Sequence, residues 1–239
     1  NTLIQAGKLA ALGQMSAAIA HEINQPLAAI RTFVASTKIY LTRGNSKQVN
    51  GNLDLISGLA ERMANITSHL KTFARKSDTG RAETVDVTRA IHGSMVLIES
   101  QIKLAGVALD MQIEPDTFVK GYAVQLEQIL VNLLQNALQA VEGVKKPMIR
   151  IGVTATADTV CIKVIDNGSG ISKEHLDKIF DPFFTTKPIG KGLGLGLSIS
   201  YGIVRDFGGE IRAVNRDTGG IEMIVELPRY HPESAMSYV

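Results

Sequence analysis

The sequence predicts two architectures in series: a helical hairpin that pairs with a second copy as a four-helix bundle, then an α/β sandwich. Three observations predict it. Between Leu9 and Phe73 the apolar residues recur at threes and fours. From Thr84 onward the pattern alternates between strand-like period two and helix-like stretches. The polar run Lys76-Ser77-Asp78-Thr79-Gly80 separates the two textures. The domains are accordingly drawn at 1–78 and 83–228, with 229–239 as a frayed tail, and 239 residues is a natural length for two domains.

In chain order, residues 2–43 read as one long helix. Leu9, Leu12, Ile19, Ile23, Ile30, Phe33 and Tyr40 form its buried stripe, which places His21 on the solvent side. Gln25 stands one turn above His21, and Pro26 removes a backbone donor beside it, predicting a kink. Thr42-Arg43-Gly44-Asn45-Ser46 reads as a turn, with Gly44 and Asn45 suited to the stop and Ser46 to the next cap. A second helix over 47–76 carries the heptad Ile56, Leu59, Met63, Ile66, Leu70 and Phe73. A two-helix hairpin has too little interior to stand alone, which predicts a homodimer. Beyond the linker the pattern predicts an edge strand at 84–87, a helix at 88–101, a strand at 107–113 and a strongly apolar helix at 122–140. Strands at 148–156 and 160–166 follow, then a glycine-rich stretch, a helix at 193–207 and strands at 210–215 and 221–227.

Composition excludes several classes. The single cysteine, Cys161, rules out a disulfide framework, and its strand context reads as a small buried hydrophobe. No apolar run is long enough to span a membrane. Residues 1–80 hold nine Lys and Arg against four Asp and Glu, yet these lie along helix faces without interleaved aromatics, so no nucleic-acid partner is expected. A start at Asn1 already in helical register is read as a fragment of something longer.

Four features of the second domain carry chemistry. Asn132 and Asn136 project from one face of the helix 122–140, where amide oxygens suit Mg²⁺; an exposed polar face would look similar. Asp166-Asn167-Gly168-Ser169-Gly170 ends a strand in a carboxylate able to accept from an exocyclic amine, with glycines that admit a flat ring; a plain Asp-Asn-Gly turn is the alternative. Phe180-Asp181-Pro182-Phe183-Phe184 concentrates three of the seven phenylalanines as an anchor or hinge. Gly190-Lys191-Gly192-Leu193-Gly194-Leu195-Gly196 leads into a helix, a setting for a polyphosphate.

In this order the four features resemble the ATP-binding domain of the GHKL superfamily across residues 83–228. They stand as its N box, first glycine box, F box and second glycine box. The leading hairpin, through Gln5-Ala6-Gly7-Lys8-Leu9 and His21-Glu22-Ile23-Asn24-Gln25-Pro26-Leu27, resembles the dimerisation and phosphotransfer domain of sensor histidine kinases. Within these it looks most like the dicarboxylate-transport and oxygen-sensing group.

That resemblance implies a fold of helical hairpin plus GHKL-type sandwich, and an ATP-dependent protein-histidine kinase. His21 would be the phosphoacceptor and Glu22 the group that orients its ring proton. Asn136 with Asn132 would hold Mg²⁺, Asp166 would bind the adenine amine, and Gly168 and Gly170 would permit its approach. Gly192, Gly194 and Gly196 would shape the triphosphate lid, with Lys187 as a further phosphate contact. The implied partners are a second copy and the receiver domain of a response regulator, which takes the phosphoryl group on an aspartate. The implied location is the cytoplasmic side of the bacterial inner membrane, anchored through a part not in this chain. Two departures stand out: Gln25 where many relatives carry Asn or Thr for phosphatase activity, and Gln139 where many carry a basic residue. The competing readings are a non-catalytic ATP-binding scaffold and a gyrase-like ATPase, the latter disfavoured by the Phe segment. His69, His92, His175 and His231 read as structural or surface residues.

Overall fold

The computed structural model describes residues 16–74, 82–187 and 194–232. The Gln5–Leu9 motif, the polar linker and Gly190, Lys191 and Gly192 lie outside the described residues, as do the side chains of Glu22, His69, Leu70 and Phe73. The chain divides into two compact units, one of residues 1–78 with 185–195, the other of 79–184 with 196–239.

In the first unit, α1 (Ser16–Thr42) and α2 (Ser46–Ala74) form the hairpin. The turn shows why the sequence stops there. Gly44 takes φ +68°, a left-handed conformation open to glycine. The N–H of Asn45 bonds the carbonyl of Tyr40 at 3.0 Å, and that of Gly44 the carbonyl of Leu41 at 3.1 Å, the paired bonds of a Schellman stop. The cap of α2 is Asn45 and not Ser46: Asn45 Oδ1 accepts from Gln48 N at 3.3 Å, leaving Ser46 as the first helical residue. Pro26, Phe33 and Tyr40 of α1 are wholly or partly covered, as are Val49, Ile56, Leu59, Met63 and Ile66 of α2, close to the expected stripes. Asn52 is buried in this seam and donates to Ser36 Oγ at 2.8 Å. The helix runs unbroken through Pro26. A second apolar line, Leu27, Val34 and Leu41, repeats every seven residues and remains 43, 40 and 68% exposed.

The second unit is the sandwich. Its five-stranded sheet contains β2 (Ala108–Ile113), β4 (Met148–Ala155), β5 (Thr159–Asp166), β6 (Glu210–Asn215) and β7 (Ile221–Pro228), in the order β2-β4-β5-β7-β6. Only β2 and β4 run parallel. Alternation puts Ile149, Ile151, Val153, Val160, Ile162, Val164, Met223 and Val225 on one buried face, under α3 (Val87–Leu104), α4 (Ala123–Ala140) and α6 (Gly196–Asp206). The opposite face carries the ion pairs Arg150–Asp110, Lys163–Glu222 and Arg212–Glu226, as a half-solvated sheet should. A four-residue helix, α5 (Lys173–Leu176), interrupts the glycine-rich stretch.

Two further expectations are corrected. The first strand, β1 (Glu83–Asp86), does not edge the main sheet; it pairs antiparallel with a strand the pattern missed, β3 (Phe118–Gly121), in a separate two-stranded sheet. The chain from Arg229 to His231 is not frayed. Arg229 N bonds Asp158 O, Tyr230 N bonds Phe118 O, and His231 Nε2 meets Ala157 O, each at 2.8 Å, while Lys120 Nζ sits 4.1 Å from the Tyr230 ring centre. Backbone pairing and a cation–π contact hold what composition alone left loose.

Candidate functional site

The site is organised along one face of α4. This helix buries Leu126, Ile129, Leu130, Leu133, Leu134 and Ala137 at about 3% exposure or less, which turns Asn132, Asn136 and Ala140 toward the ends of β5 and α6. Residues spaced by four advance one turn while drifting about 40° around the axis, so the three form a single oblique row. At the row's start, Asn132 is 8% exposed and its Nδ2 donates to Gly196 O at 3.1 Å and Ser200 Oγ at 3.3 Å. Its amide nitrogen is therefore spent on the first turn of α6, leaving only Oδ1 for the expected cation role. At the row's end a Cβ on Gly168 would stand 2.4 Å from the Ala140 carbonyl oxygen, so only glycine fits there. Half-buried Asn136 stands midway. Eight residues of helix, roughly 12 Å, thus separate the contact with Gly196 from the contact with Gly168.

Asp166 takes the last core-facing position of β5, in register with Val160, Ile162 and Val164, and is 2% exposed. Its Oδ1 accepts from Gly168 N at 2.8 Å. Burial pushes its carboxyl above the usual carboxylate range, while backbone N–H groups of Gly168 and Ile221 and the charge of Arg216 pull it back. The turn beyond it uses Gly170 at φ +70°. Sequence reasoning did not single out Gly220, which takes φ +84° and whose added Cβ would lie 2.0 Å from the Asp166 carbonyl oxygen. The doublet Gly219-Gly220 opening β7 was the available signal. Ser200, one turn into α6, was likewise missed; it accepts from Asn132 and donates to Gly196 O at 3.1 Å.

The Phe segment anchors to both neighbouring helices. Phe180 lies 5.7 Å from the Tyr201 ring on α6, and Phe184 meets the His175 ring of α5 edge-on at 5.3 Å. Phe183 adopts φ +67°, a conformation unusual for an aromatic residue. Asn132, Asn136, Asp166, Gly168, Gly170 and Gly196 therefore share one unit, whereas Lys187 and Gly194 fall within 185–195, which clusters with the hairpin. Gly192 lies outside the described residues.

On the hairpin, His21 is exposed, as the stripe predicted. Gln25 Nε2 lies 3.0 Å from His21 Nε2; with the amide donating, the ring carries its proton on Nδ1. The Glu22 side chain lies outside the described residues.

The donor set fits a magnesium nucleotide. Asp166 offers an acceptor in a glycine cradle, and amide oxygens along α4 suit a hard cation that takes its remaining ligands from phosphate and water. Among the described residues no group of three or more His, Cys, Asp or Glu could hold a metal alone.

Two family models match. Residues 11–79 fit the His Kinase A phospho-acceptor domain, and residues 121–231 the histidine kinase-, DNA gyrase B- and HSP90-like ATPase. The chain is 41% identical over 222 residues to the C4-dicarboxylate transport sensor protein DctB of Pseudomonas aeruginosa, covering 91% of this chain and 36% of that protein. The chain thus spans about a third of the curated relatives it matches first. Among solved structures it resembles the catalytic domain of histidine kinase ThkA, at 32% identity and a TM-score of 0.57, covering 63% of this chain and 99% of that one. It also resembles ThkA in complex with response regulator protein TrrA, at 28% identity and a TM-score of 0.70, covering 95% of this chain and 64% of that one.

Proposed function

Since this chain belongs to the histidine kinase family, we propose that it binds Mg-ATP in the sandwich, transfers the γ-phosphoryl group to His21 and passes it to an aspartate of a response-regulator receiver domain. The observation that carries the reading is the α4 row: Asn136 stands midway between the glycine turn of Asp166 and the start of α6 at Gly196, across a span that suits a nucleoside triphosphate.

Each residue contributes a distinct piece of chemistry. Asp166 accepts from the exocyclic amine of adenine, and its burial makes that hydrogen bond selective, since a base without the donor leaves a remaining lone pair of a dry carboxylate facing the ring with no donor. Gly168 and Gly170 leave room for the ring beside it. Gly196 and the first turn of α6 present backbone N–H groups toward phosphate, held in place by Asn132. Asn136, with Oδ1 of Asn132, would hold Mg²⁺, which supplies charge neutralisation on the phosphates when bound. We assign Gly192, Gly194 and Lys187 to phosphate contact on the family resemblance alone.

His21 attacks through Nε2. The tautomer with the proton on Nδ1 keeps that lone pair available, and Gln25 must release it before the phosphorus–nitrogen bond forms. Glu22 takes the role of stabilising the Nδ1 proton as positive charge develops on the ring. The exposed line Leu27, Val34 and Leu41 is the surface on which a second copy completes a four-helix bundle. Among the described residues no helix is long and apolar enough to cross a membrane. We place the chain as the kinase core, residues 1–78 and 83–228, of a longer sensor held at the bacterial inner membrane, facing the cytoplasm.

Titration with a fluorescent ATP analogue and Mg²⁺ tests the nucleotide reading. Binding that disappears in Asp166→Asn, with the melting temperature of the free protein preserved, supports it. Equal binding by both proteins removes Asp166 from the site.

A further inference from the structure

Asp166 depends on a turn with two glycines, Gly168 and Gly170, and a chain so rich in conformational freedom must be ordered before it can cradle a ring. The structure shows where the order comes from. Asn215, at the end of β6, accepts from the Ile171 N–H through Oδ1 at 2.9 Å and donates through Nδ2 to the Ile171 carbonyl. With an N–H on one side and a carbonyl on the other, the amide has a single orientation and acts as one more paired strand residue. Asn167 does the same at the opposite end of the turn. Its Oδ1 accepts from Met148 N and its Nδ2 donates to Lys146 O, each at 2.8 Å.

We propose that Asn167 and Asn215 are positioning residues for the nucleotide site, two amide clamps that hold the turn from Asp166 to Ile171 in its binding conformation before ATP arrives. The inference rests on the nucleotide reading above and deepens it. Two neighbouring contacts agree with it. A Cβ on Gly170 would come within 2.8 Å of Asn215 Oδ1, so the glycine is there to let the clamp close. The hairpin that begins at Asn215 also brings Gly220 against the Asp166 carbonyl and the Ile221 N–H to its carboxylate. One clamp thus ties the turn to the β6–β7 hairpin and the other to the loop before β4.

The test uses the 239-residue chain, Mg-ATP calorimetry and hydrogen exchange at the amides of Gly168 and Ile171. Asn215→Ala and Asn167→Ala are each expected to weaken ATP binding at least ten-fold and to speed exchange at those two amides in the free protein, with exchange in the hairpin unchanged. Should Asn215→Ala fail to fold, Asn215→Asp gives the reading, because it keeps the side-chain volume and the acceptor for Ile171 N but sets an oxygen against the Ile171 carbonyl. Folded variants that bind ATP within two-fold of the parent overturn the clamps. If Asp166→Asn abolishes binding while the asparagine variants leave it intact, the clamps alone fail. A parent chain that binds no Mg-ATP sinks both the clamps and the nucleotide site.

Discussion

Replacing Gly220 with alanine perturbs Asp166 from behind, and the structure separates the two costs. The first is conformational: at φ +84° an L-residue pays about 1–2 kcal/mol for the left-handed region. The second is steric: the added Cβ would sit 2.0 Å from the Asp166 carbonyl oxygen and 2.8 Å from Asn167 Cα. Both are backbone atoms that no rotamer change can move, and overpacking of this kind costs a further ~1–3 kcal/mol. Gly143 supplies the control, because at φ +80° nothing lies within 4 Å of its added Cβ. Gly143→Ala should therefore show the conformational cost alone. Urea unfolding of both variants, with fluorescent-nucleotide titration of each, separates the terms. Gly220→Ala is expected to lose more stability than Gly143→Ala and to bind ATP at least ten-fold more weakly, as the end of β5 is pushed aside. Equal stabilities and parental affinity in both variants would refute the claim that Gly220 holds Asp166 in place.

Asn132→Asp distinguishes a positioning amide from a metal ligand. The aspartate would set an oxygen against Gly196 O and lose the donor to Ser200, costing about 1–3 kcal/mol in thermal denaturation, whereas a residue that only ligates Mg²⁺ would tolerate the change. Asp166 predicts a pH dependence of opposite sign for stability and binding. Its folded pKa is raised by burial, so stability from this group grows as pH falls through that value and declines as pH rises. ATP affinity, which needs the charged acceptor, should fall as pH drops through the raised pKa of this carboxyl; a midpoint no higher than that of an ordinary carboxylate contradicts the assignment. Val34→Glu places a charge in the exposed line between Leu27 and Leu41 and is expected to convert a dimer to a monomer by light scattering. An unchanged mass would move the dimer interface elsewhere.

What the sequence made legible was local. The apolar repeat of α1 placed His21 outward, and the spacing of Asn132 and Asn136 placed both on one side of α4. Strand alternation ended β5 in a carboxylate whose inward direction the period of two implies. What stayed hidden depends on partners far along the chain. Asn132 spends its donor on Gly196, and Asn215 clamps Ile171 across the sheet. Strand β3 is four residues long, too short to show a period, and exists because β1 pairs with it. Asn45 and Ser46 are both good caps, and only the Schellman bonds at Gly44 decide between them. The residues from Arg229 to His231 look like a tail until Phe118 and Asp158 offer their carbonyls.

The central claim is that phosphate moves from ATP to His21. Incubation with γ-labelled ATP and Mg²⁺, comparing the chain with His21→Gln and testing the label in acid and base, addresses it directly. The account predicts an acid-labile, base-stable label on the parent protein and none on His21→Gln, with nucleotide binding intact in both. Label that persists in His21→Gln, or a parent chain that binds Mg-ATP and stays unlabelled, would contradict it.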